Sequence, residues 1–123
     1  MATTVLAIDD SATIRALVTH TLSNAGFDVT TAVDGMDGVE IFQSRRFDAV
    51  ITDINMPNMD GFGVIEAIRQ GEENRRVPIL VLTTESGQRL KDRARDAGAT
   101  GWIVKPFEDT GLVNVLKRVT VGA

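Results

Sequence analysis

Cysteine does not occur among the 123 residues, so disulfides, thiolate metal sites and cysteine nucleophiles are excluded at the outset. Long apolar runs are missing too. No stretch approaches the roughly 20 residues that cross a bilayer, and the start Met1-Ala2-Thr3-Thr4 carries no basic segment leading into an apolar one. Neither a membrane span nor an export signal is read, and a cytoplasmic protein is expected. Positive charge is in deficit: the formal net charge is −4, which argues against a nucleic-acid surface. There is no glycine-rich phosphate cradle, so a nucleotide site is not expected. Repeats, low-complexity tracts and linkers are lacking as well, and the whole chain, 43% hydrophobic, has to be explained as one fold over residues 1–123.

What the sequence does contain is a series of short apolar runs that each stop on a polar group. Val5-Leu6-Ala7-Ile8 ends at Asp9-Asp10-Ser11. Phe47-Asp48-Ala49-Val50-Ile51 leads through Thr52 into Asp53, followed by the turn-rich Pro57, Asn58 and Gly61. Ile79-Leu80-Val81-Leu82 ends at Thr83-Thr84-Glu85, and Gly101-Trp102-Ile103-Val104 runs into Lys105-Pro106-Phe107. Runs of this kind suit strands covered on both faces, where polar residues are costly until the strand emerges. Phe27 to Ala32 alternates more, as an edge strand does.

Between them the period is helical. Ile14, Leu17, Val18, Leu22 and Ala25 recur over about 12–25, with Asp10 or Ser11 able to cap the start and Gly26 placed to end it. Met36, Val39, Ile41 and Phe42 predict a second helix ending near Arg45 and Arg46, where cations favour a carboxyl end. Phe62 to Ile68 predict a third. Gln88 to Ala97 is helical but thinly apolar, and it is expected to be the least firmly anchored; a last helix carries Leu112, Val115, Leu116 and Val119. Five strands alternating with five helices imply an α/β fold, a doubly wound parallel sheet with helices on both faces. Open sheets of this class place their sites outside the carboxyl ends of the strands, where Asp9, Asp10, Asp53, Thr83 and Lys105 all fall.

Three carboxylates at one sheet edge repel one another, and oxygen ligands without histidine or cysteine favour Mg²⁺. A carboxylate is also a nucleophile toward phosphorus. Metal, amine and hydroxyl would then share the charge of the phosphoryl oxygens, which is the electrostatic work phosphoryl transfer requires. With no nucleotide cradle, the donor is expected to be another protein or a small acyl phosphate.

In Ile8-Asp9-Asp10-Ser11, the stretch from Asp53 to Gly61 (DINMPNMDG), Leu82-Thr83-Thr84 and Lys105-Pro106-Phe107, the chain resembles response-regulator receiver domains over essentially its full length, and specifically the stand-alone CheY-type proteins of bacterial chemotaxis. The resemblance implies a flavodoxin-like, CheY-like sheet of order 2-1-3-4-5. It implies that Asp53 accepts a phosphoryl group from a CheA-type histidine kinase, and that Asp10, Asp53 and the Asn55 carbonyl ligate Mg²⁺ with Asp9 assisting. Lys105 would pair with the phosphoryl oxygens and Thr83 would swing toward them. Trp102 matches the aromatic switch position of the last strand, Asn55 and Glu85 match positions that tune dephosphorylation, and Lys105-Pro106 matches a cis peptide. Slow self-catalysed hydrolysis is expected, since neither Asn55 nor Glu85 is equipped as a strong acid or base.

No output domain follows Val119 to Ala123, so a monomer signalling by protein binding is expected, with a flagellar motor switch protein as the first target. A phosphate sink would carry the same acceptor residues. So would a single-domain regulator outside chemotaxis. A haloacid-dehalogenase-like phosphatase also begins from an aspartate nucleophile, but it places a second Asp where this chain has Asn55. A flavodoxin-like redox binder would need donors where Asp9 and Asp10 stand.

Overall fold

The computed structural model describes residues 2–120. Met1 and the three residues after Thr120, where the sequence reading ends the domain, lie outside the described residues. Ten elements alternate: β1 (Thr4–Ile8), α1 (Ala12–Asn24), β2 (Asp28–Ala32), α2 (Gly35–Ser44), β3 (Ala49–Thr52), α3 (Gly61–Gln70), β4 (Ile79–Thr83), α4 (Gln88–Ala97), β5 (Gly101–Val104) and α5 (Asp109–Thr120). Every strand pair is parallel and the order is β2-β1-β3-β4-β5, the arrangement for which flavodoxin and CheY are the standing examples.

Side-chain alternation along the buried strands divides the core into two layers. Leu6, Ile8, Val50, Ile79 and Val81 face one way and meet α2, α3 and α4 through Phe42, Phe62, Ile65 and Ala94. Val5, Ala7, Ala49, Ile51, Leu80 and Leu82 face the other way and meet α1 and α5 through Val18, Leu22, Leu112 and Leu116. The central strands are largely apolar because both faces are covered, and their threonines, Thr4, Thr52 and Thr83, sit at their ends. The edge strand β2 keeps three half-buried residues in a row, as its alternating sequence implied.

Most helix starts are fixed by a side-chain cap. Ser11 accepts from the Ile14 N–H at 3.3 Å, Asp34 from Asp37 at 2.8 Å and Asp60 from Gly63 at 2.8 Å. The helix α4 starts at Gly87 without one. The anchoring of α3 and α4 differs accordingly. Phe62, Val64, Ile65 and Ile68 are buried in α3, each contributing roughly 1.5–3 kcal/mol, whereas α4 buries only Ala94.

Two expectations need correction. Leu17 does not belong to the buried stripe of α1, being 49% exposed; Val18, Thr21 and Leu22 are buried instead, and the Thr21 hydroxyl donates to Asp109 at 3.1 Å. The stripe facing a sheet is only about 100° wide, so a residue one step from Val18 falls outside it. Met36 is 58% exposed, at the first turn of α2, before that helix reaches the core. α2 ends at Ser44, beside Arg45 and Arg46 as expected, with neither cation inside the last turn itself. Its C-cap residue Arg45 turns back, with its guanidinium 5.1 Å above the Phe47 ring and bonded to the Thr30 hydroxyl.

Candidate functional site

Register alone brings the first acidic residues together. Ile8 pairs with Thr52 across β1 and β3, and the Asp53 N–H extends the ladder one step to the Ile8 carbonyl at 3.0 Å. Asp9 and Asp53 are therefore the first residues past the paired ends of two adjacent strands. On the other side Thr83 pairs with Val104, and the Lys105 N–H bonds the Thr83 carbonyl at 2.8 Å, so β5 releases Lys105 toward the same edge.

The Lys105 ammonium bridges both acids. Its Nζ lies 2.8 Å from Asp9 Oδ2 and 2.9 Å from Asp53 Oδ2, with all three side chains nearly covered. Burial of the ammonium opposes its charge, but hydrogen bonds to Asp53 and Asp9 and their negative charges outweigh it. The Lys105 pKa is held above its ordinary 10.5 and the amine is a cation at neutral pH. The remaining oxygens are occupied locally: Asp9 Oδ1 accepts from the Ser11 N–H at 2.9 Å and Asp53 Oδ1 from the Ile54 N–H at 2.6 Å. Asp10 is exposed at the rim. Carboxylate oxygens of Asp9, Asp10 and Asp53 lie within 4.8 Å of one another, an all-oxygen cluster that fits a hard divalent cation.

Thr83 is buried, and its Oγ1 accepts from the Glu85 N–H at 3.4 Å. Asn55 and Glu85 meet across the mouth, Asn55 Nδ2 donating to Glu85 Oε1 at 3.3 Å. Trp102 lies partly buried beside α4, and its indole N–H donates to the Glu85 carbonyl at 3.0 Å, tying β5 to the loop that follows β4. The Lys105–Pro106 peptide is cis. Of the residues singled out from the sequence, Asp9, Asp10, Asp53 and Lys105 form one cluster. Thr83, Asn55, Glu85 and Trp102 form a linked chain beside it. His20 shares a hydrogen bond with Asn24 on the exposed side of α1.

Two participants went unread in the sequence. The Arg15 guanidinium donates to the Asp9 carbonyl at 2.7 Å, bracing the turn after β1; one helical turn past the cap, it looks like any surface cation. Asn58 bonds Asp34 at 2.7 Å, and the only signal was an asparagine inside a turn, where left-handed backbone is tolerated. Among the described residues no helix is long and apolar enough to cross a membrane.

Comparison with known proteins gives a consistent set of matches. The response regulator receiver domain model matches residues 5–117. Chemotaxis protein CheY-3 of Vibrio cholerae is 36% identical over 116 residues, 94% of this chain and 89% of that one. The structure of chemotaxis protein CheY4 of Vibrio cholerae superposes with a TM-score of 0.92 at 45% identity, covering 97% of this chain and 99% of that one. The receiver domain of sensor histidine kinase PA1611 of Pseudomonas aeruginosa, solved with a magnesium ion coordinated in its active-site cleft, superposes at 0.91 with 29% identity. That match covers 99% of this chain and all of that one.

Proposed function

Because the chain belongs to the response regulator receiver domain family and is CheY-like within it, we propose that Asp53 is its phosphoacceptor, taking a phosphoryl group from the phosphohistidine of a CheA-type kinase. One observation carries the reading: the Lys105 ammonium joins Asp53 to Asp9, with Asp10 beside them at the open edge. An Asp53 oxygen attacks phosphorus, the bond from phosphorus to the imidazole nitrogen breaks, and the ring, already protonated on its other nitrogen, leaves as neutral imidazole. Lys105, already a buried cation, neutralises oxygens of the new acyl phosphate as it leaves the Asp53 carboxylate.

The residues fit Mg²⁺, which Asp10, Asp53 and the Asn55 carbonyl would hold, with Asp9 assisting. When bound, it offsets the carboxylate charge and polarises the phosphoryl group. Asn55 and Glu85 engage each other, so neither is a free acid or base poised to activate water, and slow self-catalysed hydrolysis follows.

Thr83 and Trp102 form the switch. Phosphorylation adds about −1.5 to −2 charges and acceptor oxygens toward which the Thr83 hydroxyl, which now only accepts from the Glu85 N–H, swings to donate its proton. Trp102 reads that loop through the Glu85 carbonyl. The groove of about 240 Å³ beside it, lined by Gln88, Lys91, Arg95 and Trp102, lies on the surface that changes. The chain's relatives CheY-3 and CheY4 are chemotaxis proteins, and its target is taken to be a flagellar motor switch protein, with the protein acting as a cytoplasmic monomer; a phosphate sink shares every acceptor residue.

The test adds Mg²⁺ and then beryllofluoride, a phosphoryl mimic, while following Trp102 fluorescence in wild type and Asp53→Asn. A change requiring both Mg²⁺ and Asp53 is expected. Binding seen calorimetrically without a fluorescence change would remove the Trp102 switch and keep the acceptor; no binding would overturn the function.

A further inference from the structure

The loop between β3 and α3 is fastened to the start of α2 at a point the acceptor chemistry does not touch. Asp34 divides its carboxylate between two tasks. Its Oδ1 caps α2 through the Asp37 N–H at 2.8 Å, and its Oδ2 accepts from the Asn58 side-chain amide at 2.7 Å. Asn58 has a left-handed backbone, φ 69°, and across it the Met59 N–H closes on the Pro57 carbonyl at 2.7 Å. A three-residue turn of that hand is strained and persists only where its surroundings hold it.

The surroundings here are α2 itself. The Met59 carbonyl presses so close to Gly35 that a Cβ there would sit 2.1 Å from its oxygen. Further along, the Gly61 N–H bonds the Ile54 carbonyl at 2.9 Å, closing the loop onto the end of β3. An ionised acceptor makes the Asn58 bond stronger than a neutral pair. The Asp37 N–H first, and then the Asn58 amide, hold the Asp34 carboxyl below its ordinary 3.8, so it is ionised at neutral pH.

We propose that Asp34 and Asn58 are positioning residues for the metal site, a latch that fixes the 55–59 backbone and with it the Asn55 carbonyl. The proposal rests on the Mg²⁺ reading above. Neither residue bonds a metal ligand; they act through the backbone between Asn58 and Asn55, one step beyond the directly bonded partners whose loss commonly costs roughly 10-fold or more in metal affinity.

The test is Mg²⁺ titration by calorimetry of the full chain, with urea unfolding of the same metal-free samples. N58D sets two carboxylates face to face and is expected to weaken Mg²⁺ binding several-fold, less than the roughly 10-fold loss of a partner bonded to the ligand itself. Added negative charge by itself would do the opposite and tighten it. The exchanged pair D34N/N58D has the wild-type net charge, keeps an oxygen for the α2 cap and reverses donor and acceptor across the latch. It is expected to restore wild-type affinity. N58G tolerates the left-handed turn, lacks only the bond, and is expected to give an intermediate loss; it decides the matter if N58D does not fold. Wild-type affinity in N58D or N58G, or no recovery in the exchanged pair, would overturn the latch alone. Failure of wild type itself to bind Mg²⁺ would overturn the functional reading and the latch with it.

Discussion

Two loops leave adjacent strands at the same sheet edge; both carry hydrogen bonds, but only the loop after β3 is also closed sterically. The loop after β3 is packed without slack: a Cβ at Gly61 would lie 2.1 Å from the Asp53 carbonyl oxygen, and one at Gly35 just as close to Met59. The loop after β4 has room, since nothing lies within 4 Å of a Cβ at Gly87, and α4 follows with no side-chain cap. Hydrogen bonds and aromatic contacts hold that second region. Trp102 ties the Glu85 carbonyl, and the Arg93 guanidinium lies 3.9 Å over the Phe62 ring. Arg69 fastens the far end of α4 by donating to the Gly98 carbonyl at 3.0 Å. Steric closure would suit the metal-binding role proposed for the first loop, because a packed backbone has one arrangement; directional tethers would suit the switch proposed for the second, because each can be exchanged for another at small cost.

The largest test of this contrast is Gly61→Ala. The added methyl meets backbone, which cannot step aside, and a loss of about 3 kcal/mol or more is expected in urea unfolding. Next is Trp102→Phe, which removes one hydrogen bond and keeps an aromatic ring. A loss of about 1 kcal/mol is expected, with faster amide exchange confined to the 84–87 loop. Gly87→Ser is the smallest: it fills open space with an N-cap hydroxyl, and α4 should gain about 0.3 kcal/mol. Comparable penalties at positions 61 and 87 would abolish the distinction between the two loops.

The sheet and its site were legible because buried parallel strands announce themselves as apolar runs and their exits as polar groups. The bounds of α4 and β5 fall where the sequence placed them. The acids and the lysine were legible as a set because parallel register delivers every strand's carboxyl end to one edge. What stayed hidden depended on facing rather than on pattern. Leu17 and Thr21 exchanged roles because helical spacing tells which residues share a face, and packing against α5 decides which face is inward. The latch between Asp34 and Asn58 joins residues 24 apart across two turns, and no period in the sequence connects them.

The bridge from Lys105 to Asp9 spans 96 residues of chain, and this bears on how the molecule comes to be folded. A chain growing from its amino end acquires Asp9, Asp10 and Asp53 long before it acquires the amine that offsets them. Until β5 docks on β4, three facing carboxylates have no internal cation, and their repulsion works against the very edge that β1 and β3 build.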